Sequence, residues 1–334
     1  MNKTLIVDGN SLLKLGFHGL KNFQNNSKHL GGVFFFLNTI RKSISEEHFS
    51  KILVAWDGEK NYEYRRKIYS LYKSKRREKR LNEEQKHSFY MQKRRVQQYL
   101  EEIFARQCEF EGIEADDIIG YYTQNSKEDI TILTNDRDLT QLICENVKLK
   151  LLSNNQTHTL NDTIKYEGFN IPVNNIKLIK IICGDSSDDI SGIKNVGIKT
   201  VIKIMPEILN QNVELEDFMD RCKVLSDDGD KNYRLKNILE GKTKEGILGE
   251  SFIERNKKLI DLIGAQYNSE IETEIYELIN ETLDPDGRSY KNLLKMMMED
   301  GLFDFIGKSD ESFINFTRPF LLLSRVEKNK FKSN

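Results

Sequence analysis

Short apolar runs alternate with longer segments of helical periodicity over the first 150 residues of the chain. The apolar runs predict four buried strands, at Lys3–Val7, Lys51–Trp56, Asp129–Leu133 and Val147–Leu152. The segments between them predict helices at Gly32–Ser45, Gln85–Ala105 and Ala115–Thr123. Continuous apolar strands that alternate with helices are typical of a parallel sheet covered on both faces. We therefore expect an α/β domain with a central, mostly parallel sheet.

The second half of the chain has a helical pattern from about residue 174 onward. Turn signals interrupt this pattern at residues 227–230 and 284–287, and the polar tail Glu327–Asn334 is expected to fray. A length of 334 residues fits two domains. We place the boundary between them after residue 180, with an α/β domain at residues 1–180 and an α-helical domain at residues 181–334.

Composition excludes several classes of protein. No apolar run reaches the roughly 20 residues of a membrane span, and the apolar start of the chain is too short for a signal peptide. The four cysteines have no metal-ligand spacing and lie far apart, at Cys108, Cys144, Cys183 and Cys222. This cysteine usage fits a reducing compartment. We expect a cytoplasmic monomer that does not associate with membranes.

A net charge of −1 hides a strong separation of charge along the chain. Residues 60–95 contain fourteen basic and four acidic residues, so this basic window carries +10 and the rest of the chain −11. Aromatic residues lie between the basic ones, at Tyr62, Tyr64, Tyr69, Tyr72, Phe89 and Tyr90. Basic residues mixed with aromatic residues suit a polyanion whose bases can stack. The alternative is a solvated helix face, but the excess of one charge is too large for a face of paired charges.

Three of the predicted strands end near a carboxylate, at Asp8, Asp57 and Asp136. Ligands of an open α/β sheet gather outside the carboxyl ends of its strands, so these acids should converge. Further candidate acids are Glu114, Asp116, Asp117, Asp138, Asp185 and Asp188. Crowded carboxylates repel each other, and an all-oxygen ligand set selects hard divalent ions such as Mg²⁺ or Mn²⁺. For Glu114 and Asp117, the alternative is a helix N-terminus whose dipole favours acids.

A glycine-containing loop at residues 192–200 reads Gly-Ile-Lys-Asn-Val-Gly-Ile-Lys-Thr. It is not a nucleotide-binding phosphate loop, because Ile198 separates Gly197 from Lys199 and no predicted strand leads into it. Its backbone amides open a predicted helix at Lys199–Ile208, and such a helix start can hold a nucleic-acid backbone. The alternative is a tight helix–turn–helix with glycines for close packing. The acidic stretch at residues 184–192 lacks the glycine and glutamate that an EF-hand requires.

Six motifs, in this order, resemble those of the flap endonuclease / 5′–3′ exonuclease family. They are Val-Asp-Gly (7–9), Ala-Trp-Asp-Gly (55–58), Glu-Ala-Asp-Asp (114–117), Thr-Asn-Asp-Arg-Asp-Leu (134–139), Gly-Asp-Ser-Ser-Asp-Asp-Ile (184–190) and the glycine loop. The resemblance covers about residues 3–205, and the helical remainder is more loosely similar to the phage ribonuclease H branch. It implies a PIN-like 5′-nuclease domain with a helical arch at residues 60–95, and a helix-three-turn-helix near residues 184–205.

The resemblance also implies two divalent metal sites and a potassium site. The first metal site matches Asp8, Asp57, Glu114, Asp116 or Asp117, and Asp136, and the second matches Asp138, Asp185 and Asp188. In relatives, backbone carbonyls of the helix-three-turn-helix bind K⁺, and the matching positions are Ile182, Cys183, Ser191, Ile193 and Val196. The chain departs from the family pattern at Asp189, which replaces an asparagine, and at Asn195, which replaces a glycine.

Contacts with nucleic acid are implied at further matching positions. Lys73 and Arg76 match residues that contact the scissile phosphate, and Tyr72 is expected to stack on a base. Other DNA contacts are expected in the arch and in the glycine loop, at Arg65, Arg66, Lys75, Arg77, Gly192, Gly197, Lys199 and Thr200.

These features predict a metal-dependent, structure-specific 5′–3′ exonuclease or flap endonuclease that acts in primer removal. Its expected partners are DNA and RNA–DNA duplexes, 5′ flaps, and replication proteins such as a single-strand-binding protein or a clamp. A phage-encoded enzyme would act in the host cytoplasm. One alternative is a PIN-type single-strand ribonuclease, which usually lacks the second acid pair and the glycine loop. The other is a non-catalytic nucleic-acid-binding protein of this fold, although unused crowded carboxylates are costly.

Overall fold

A six-stranded sheet carries the acids singled out at the strand ends. The computed structural model describes residues 3–25, 28–75, 81–229, 232–249, 251–262, 269–281, 283–307 and 309–333. Its strands are β1 (Lys3–Asp8), β2 (Gln24–Asn25), β3 (Lys28–His29), β4 (Lys51–Trp56), β5 (Arg106–Glu109), β6 (Asp129–Thr134), β7 (Val147–Leu151), β8 (Thr157–His158), β9 (Thr163–Tyr166), β10 (Phe169–Pro172), β11 (Gly184–Asp185) and β12 (Ile190–Ser191). The large sheet has the order β5-β4-β1-β6-β7-β8. All neighbours in it are parallel except β8, which runs antiparallel to β7.

Helices cover the sheet and form most of the second half of the chain. They are α1 (Gly9–Gly19), α2 (Gly31–Glu46), α3 (Glu63–Ile68), α4 (Glu83–Glu102), α5 (Ala115–Asn125), α6 (Asn175–Cys183), α7 (Ile198–Ile204), α8 (Leu215–Asp227), α9 (Tyr233–Leu239), α10 (Ser251–Ile260), α11 (Ser269–Asn280), α12 (Tyr290–Glu299), α13 (Phe303–Ile306) and α14 (Asp310–Ser333). Two 3₁₀ helices lie at Asp138–Leu142 and Pro206–Leu209. No helix among the described residues is long and apolar enough to cross a membrane.

The predicted α/β architecture is confirmed, and the four predicted strands lie within one residue of β1, β4, β6 and β7. The edge strand β5 was missed because its sequence, Arg-Gln-Cys-Glu, contains only one apolar residue. Helix α1 was not predicted; it begins directly after β1, and the Asp8 side chain caps it. The helix predicted to reach Ile208 ends at Ile204, since Pro206 cannot continue its hydrogen bonding. The tail that was expected to fray is helical to Ser333.

Apolar residues from both halves of the chain pack on the two faces of the sheet. On one face, Ile6 of β1 belongs to the same core as Ile179 of α6 and Phe252 of α10. On the other face, Leu5 belongs to a core that includes Phe320 of α14. Successive residues of a strand point to opposite faces, which places the two cores back to back. The predicted boundary after residue 180 falls inside α6, so the two predicted domains share these cores.

Candidate active site

Four acids, Asp8, Asp57, Asp116 and Asp136, form what we call the first acid group, at the carboxyl ends of β1, β4 and β6. Asp8 ends β1, and its carboxylate accepts hydrogen bonds from the Ser11 amide at 3.0 Å and the Thr134 hydroxyl at 2.8 Å. Asp57 follows β4 and accepts hydrogen bonds from the Ala115 amide at 3.1 Å and from the side chain of Asn10. The starts of helices α1 and α5 are thereby tied to the strand ends.

The first acid group is short of positive charge. Burial, with the nearby carboxylates Asp57 and Asp136, raises the pKa of Asp8 to about 6. Burial and the carboxylates of Asp136 and Asp8 raise the pKa of Asp116 well above its ordinary value. Burial also acts to raise the pKa of Asp57, but Lys14 and the Ala115 amide outweigh it and leave that pKa lowered. Among the residues that the structure describes, no lysine or arginine forms a direct ion pair with any of these four acids.

The second acid group consists of Asp138, Asp185 and Asp188. One carboxylate oxygen from each lies within 4.8 Å of the other two, a spacing that could hold a metal ion. The Lys180 ammonium group pairs with Asp138 and lies 2.7 Å from Asp185. Burial and Asp136 raise the pKa of Asp138 to about 7 despite Lys180. Within the described part of the chain, no other three acidic side chains converge as closely.

Lys180 was missed by the sequence analysis. It lies five residues before Asp185, in the otherwise apolar stretch Leu-Ile-Lys-Ile-Ile of α6. A lone lysine that is 6% exposed must find a negatively charged partner, because burying an unpaired ammonium group is costly. The charged residue in an apolar helix was therefore the available signal.

The segment Tyr72–Lys73 contacts Glu114, which acts electrostatically on Asp116 of the first acid group, and Asp188 of the second. The Tyr72 hydroxyl donates to Glu114 at 2.9 Å and to Asp188 at 3.3 Å. The Lys73 ammonium group pairs with Glu114 and lies 3.7 Å from Asp188, while its backbone amide donates to the Asp188 carbonyl at 2.8 Å. Lys73 has a φ of +51°, a left-handed conformation that a non-glycine residue adopts only where its surroundings impose it.

Two of the predicted contacts with nucleic acid fall on side chains that this structure buries. Arg65 is 3% exposed, and its guanidinium group binds Glu114 at 2.8 Å and both carboxylate oxygens of Asp117. Tyr72 is 2% exposed, and its ring lies in a small apolar cluster with Ile181 and Leu259 instead of facing the solvent. Because both oxygens of Asp117 accept from Arg65, Asp116 is the member of this pair that remains a candidate metal ligand.

The remaining predicted contacts of the arch differ in accessibility. Arg66 donates to the carbonyls of Tyr72 at 3.0 Å and Lys73 at 3.3 Å, so it holds this segment in place. Lys75 is well exposed and lies 3.4 Å from the Asp189 carboxylate. Arg76 and Arg77 lie outside the described residues.

The glycine loop follows the β11–β12 hairpin and leads into α7. Gly192 has no room for a side chain, because a Cβ atom there would lie 2.0 Å from the Cys183 carbonyl oxygen. Gly197 immediately precedes α7 and is exposed, as is Lys199, while Thr200 is half-buried. The five predicted potassium positions lie around this loop. Ile182, which is buried, and Cys183 are the last two residues of α6, and Ser191 is the last residue of β12. Ile193 and Val196 are buried within the loop itself. Gly192 therefore serves close packing, and Gly197 and Lys199 are accessible to a ligand.

A mostly parallel sheet with acids at its strand ends and a helical second half are the features expected of a PIN-like nuclease fold. The family profile described as "5′–3′ exonuclease, N-terminal resolvase-like domain" matches residues 3–168. The 5′–3′ exonuclease of Buchnera aphidicola subsp. Schizaphis graminum is 31% identical over 211 residues, which cover 62% of this chain and 70% of that protein. The chain belongs to the 5′–3′ exonuclease family, and the predicted 5′-nuclease class is confirmed.

Other relatives extend this comparison. DNA polymerase I of Caldicellulosiruptor bescii is 32% identical over 213 residues, which cover 61% of this chain and 24% of the polymerase. The chain thus spans about a quarter of that relative's length. Among solved structures, the bacteriophage T5 flap endonuclease, in a pseudo-enzyme–product complex with DNA and metal ions, has 23% identity and a TM-score of 0.63. The match covers 84% of this chain and 100% of that one, and it supports the fold.

Proposed function

We propose that this protein is a divalent-metal-dependent, structure-specific 5′ nuclease that hydrolyses phosphodiester bonds near the 5′ ends of DNA or RNA–DNA duplexes and at 5′ flaps. The observation that carries the proposal is the first acid group: Asp57 and Asp136 lie near enough to Asp8 to raise its pKa, Asp136 and Asp8 act in the same way on Asp116, and no described residue forms a direct ion pair with the group. Such a site is stable at neutral pH only when protons or bound cations offset the repulsion.

The residues present fit hard divalent ions. Both acid groups offer only oxygen ligands, which suit Mg²⁺ or Mn²⁺ better than softer metals. In the first group we assign Asp8, Asp57, Asp116 and Asp136 as ligands, with Glu114 beside them. In the second we assign Asp138, Asp185 and Asp188. Bound there, divalent ions polarise a phosphodiester and offset the negative charge that develops on it.

Lys73 is the residue of this chain that we assign to the scissile phosphate. Its ammonium group already lies between Glu114 and Asp188, at the junction of the two acid groups. A phosphate that enters this junction would compete with these carboxylates for the ammonium group, which then stabilises the additional negative charge of the transition state. Arg76, outside the described residues, is proposed for the same role on the resemblance alone.

Duplex and flap binding is assigned to two surfaces. The basic window provides positive charge that attracts a single strand of nucleic acid. Its members Lys75 and the partly exposed Lys73 lie next to the residues that the structure does not describe. The glycine loop and the start of α7 offer Gly197, Lys199 and Thr200 to the duplex backbone. The T5 flap endonuclease that shares this fold was solved with DNA, which supports the assignment. Action in primer removal, as a monomer alongside other replication proteins, is part of the same proposal.

A panel of 5′-labelled substrates tests this function. Nicked, gapped and flapped duplexes with DNA or RNA at the 5′ end are incubated with and without Mg²⁺, beside single-stranded RNA. We expect products from 5′ ends or flaps only when the metal is present. Cleavage of single-stranded RNA alone would indicate the PIN-type ribonuclease, and no metal-dependent product on any substrate would overturn the nuclease proposal.

A further inference from the structure

The turn that was expected to bind potassium is already occupied by positively charged side chains. The Ser191 carbonyl accepts a hydrogen bond from Arg255 Nη2 at 3.2 Å and another from Asn256 Nδ2 at 3.1 Å. A carbonyl oxygen has two lone pairs, so these donors use its full capacity. Arg255 Nη2 also lies 3.0 Å from the Ser191 hydroxyl oxygen.

Other carbonyls of the expected potassium site are engaged as well. The Ile182 carbonyl accepts from the Ile193 amide at 2.9 Å, and the Ile193 carbonyl accepts from the Val196 amide at 3.1 Å. The Cys183 carbonyl faces the backbone of Gly192 at a distance that excludes even a methyl group. The Ser191, Ile182 and Ile193 carbonyls thus already accept from protein donors, which does not suit a cation that needs several oxygens at once.

A second arginine, Arg234, binds a backbone carbonyl of the same loop. Arg234 Nε donates to the carbonyl of Asn195 at 3.0 Å, and Asn195 is the residue that departs from the family glycine. Its φ of +62° shows that the asparagine preserves the left-handed backbone. The neighbouring Lys194 carbonyl accepts from the Asn237 side chain at 2.9 Å. Side chains of α10 and α9 thus hold the residue that precedes the loop and the middle of the loop, respectively.

Arg255 is held in place by several further contacts. Its guanidinium group lies 4.6 Å from the ring centre of Tyr69 and 5.4 Å from that of Phe252. The Asn256 side-chain oxygen accepts from its Nε at 3.1 Å. A potassium ion on the Ser191 carbonyl would lie beside this fixed cation, and two like charges at such a distance repel each other.

We propose that Arg255, assisted by Arg234, supplies at this turn the positive charge that the family resemblance assigns to a potassium ion, so that this protein does not require K⁺. The inference rests on the proposed duplex binding by the glycine loop. In this role Arg255 is a positioning residue for the glycine loop. Unlike a bound ion, its positive charge cannot exchange with the solvent.

The test compares K⁺ with Na⁺ at equal ionic strength. Affinity for a labelled 5′-flap duplex is measured by fluorescence anisotropy in Ca²⁺, and thermal unfolding of the protein alone is measured in the same two salts. We expect the dissociation constants to agree within about twofold and the unfolding midpoints to coincide, because a bound K⁺ would stabilise the folded state by mass action. Tighter binding in K⁺ by more than about twofold, or a midpoint raised by K⁺, would overturn the inference.

A matched pair of variants examines the arginine itself. Arg255→Met should weaken duplex binding by about tenfold in Na⁺, and K⁺ should recover part of the loss because the Ser191 carbonyl becomes available. Arg221→Met, which removes an exposed arginine of α8, is the control and should bind like the parent. Parental affinity of Arg255→Met in Na⁺ would contradict the proposal. Mg²⁺-dependent cleavage by the parent is measured separately, so a failure here is distinguishable from a failure of the nuclease function.

Discussion

The two acid groups differ in where their positive charge comes from. In the second group, the buried Lys180 pairs with Asp138 and Asp185, and the three carboxylates lie within 4.8 Å of one another. In the first group, the described residues provide no direct ion pair. Burial and mutual repulsion there raise the pKa of Asp8 to about 6 and that of Asp116 well above its ordinary value.

This difference implies different responses to divalent ions. Metal binding at the first group relieves an electrostatic repulsion that no direct ion pair from the described side chains offsets. Metal binding at the second group must compete with an ammonium group that already occupies the space between two of the ligands. We therefore expect the first group to bind a divalent ion more tightly, and the variants below are chosen to break or sharpen this contrast.

The largest expected effect follows removal of one carboxylate from the first group. Asp116→Asn should slow Mg²⁺-dependent cleavage by about a thousandfold, because a metal site supplies several kcal/mol of transition-state stabilisation. Folding should be preserved, since the substitution removes one of several carboxylates that repel each other. The control is Asp129→Asn, at the opposite end of β6. Single-turnover cleavage of a 5′-flap substrate measures the effect, and a rate equal to that of the control variant would refute the assignment.

The next effect concerns the bridge between the two groups. Lys73→Met should slow cleavage by about a hundredfold and change duplex affinity much less, because the lost charge acts on the transition state. Lys75→Met is the control, since its side chain is 79% exposed and contacts neither acid group. Both rates and affinities are measured on the same flap substrate. Equal losses in the two variants would transfer the role to the general charge of the arch.

Loss of Lys180 should expose the second group to the same repulsion as the first. Lys180→Met leaves Asp138 and Asp185 without their counterion, which should lower the free energy of unfolding of the metal-free protein by about 3 kcal/mol. Mg²⁺ should restore most of that loss. Lys177→Met on the same helix is the control, because its partner Asp261 lies outside both groups. Denaturant unfolding in EDTA and in Mg²⁺ checks this, and an Mg²⁺ effect no larger than in the control would contradict it.

The smallest effect is a dependence of stability on pH. Asp8 and Asp138 have folded-state pKa values of about 6 and about 7, above the ordinary value, so the folded state binds more protons than the unfolded state between about pH 4 and 7. The metal-free protein should therefore lose stability as pH rises through this range. Each kcal/mol lost from the free energy of unfolding lowers the unfolding midpoint by about 2–4 °C. Asp8→Asn should flatten the profile, since asparagine still caps α1. A midpoint in EDTA that rises over this range would contradict the assignment.

Much of the fold and most of the acids could be predicted from the sequence, but the basic side chains that pair with those acids could not. Asp8, Asp57 and Asp136 could be predicted because each follows an apolar strand, and parallel strands bring their carboxyl ends to one edge. The roles of Arg65 and Tyr72 could not be predicted, because a window rich in basic and aromatic residues does not reveal which of its side chains are buried. Lys180 escaped for a related reason: its partners lie five and forty-two residues away, and only the tertiary structure brings them to it.

The most direct test of the central contrast is calorimetric titration of Mn²⁺ into the metal-free parent, Asp116→Asn and Asp188→Asn at neutral pH. We predict that the parent binds one ion more tightly than a second, that Asp116→Asn loses the tighter site, and that Asp188→Asn retains it. Retention of the tighter site by Asp116→Asn, together with its loss in Asp188→Asn, would show that the group containing Lys180 is the stronger metal site and would contradict this account.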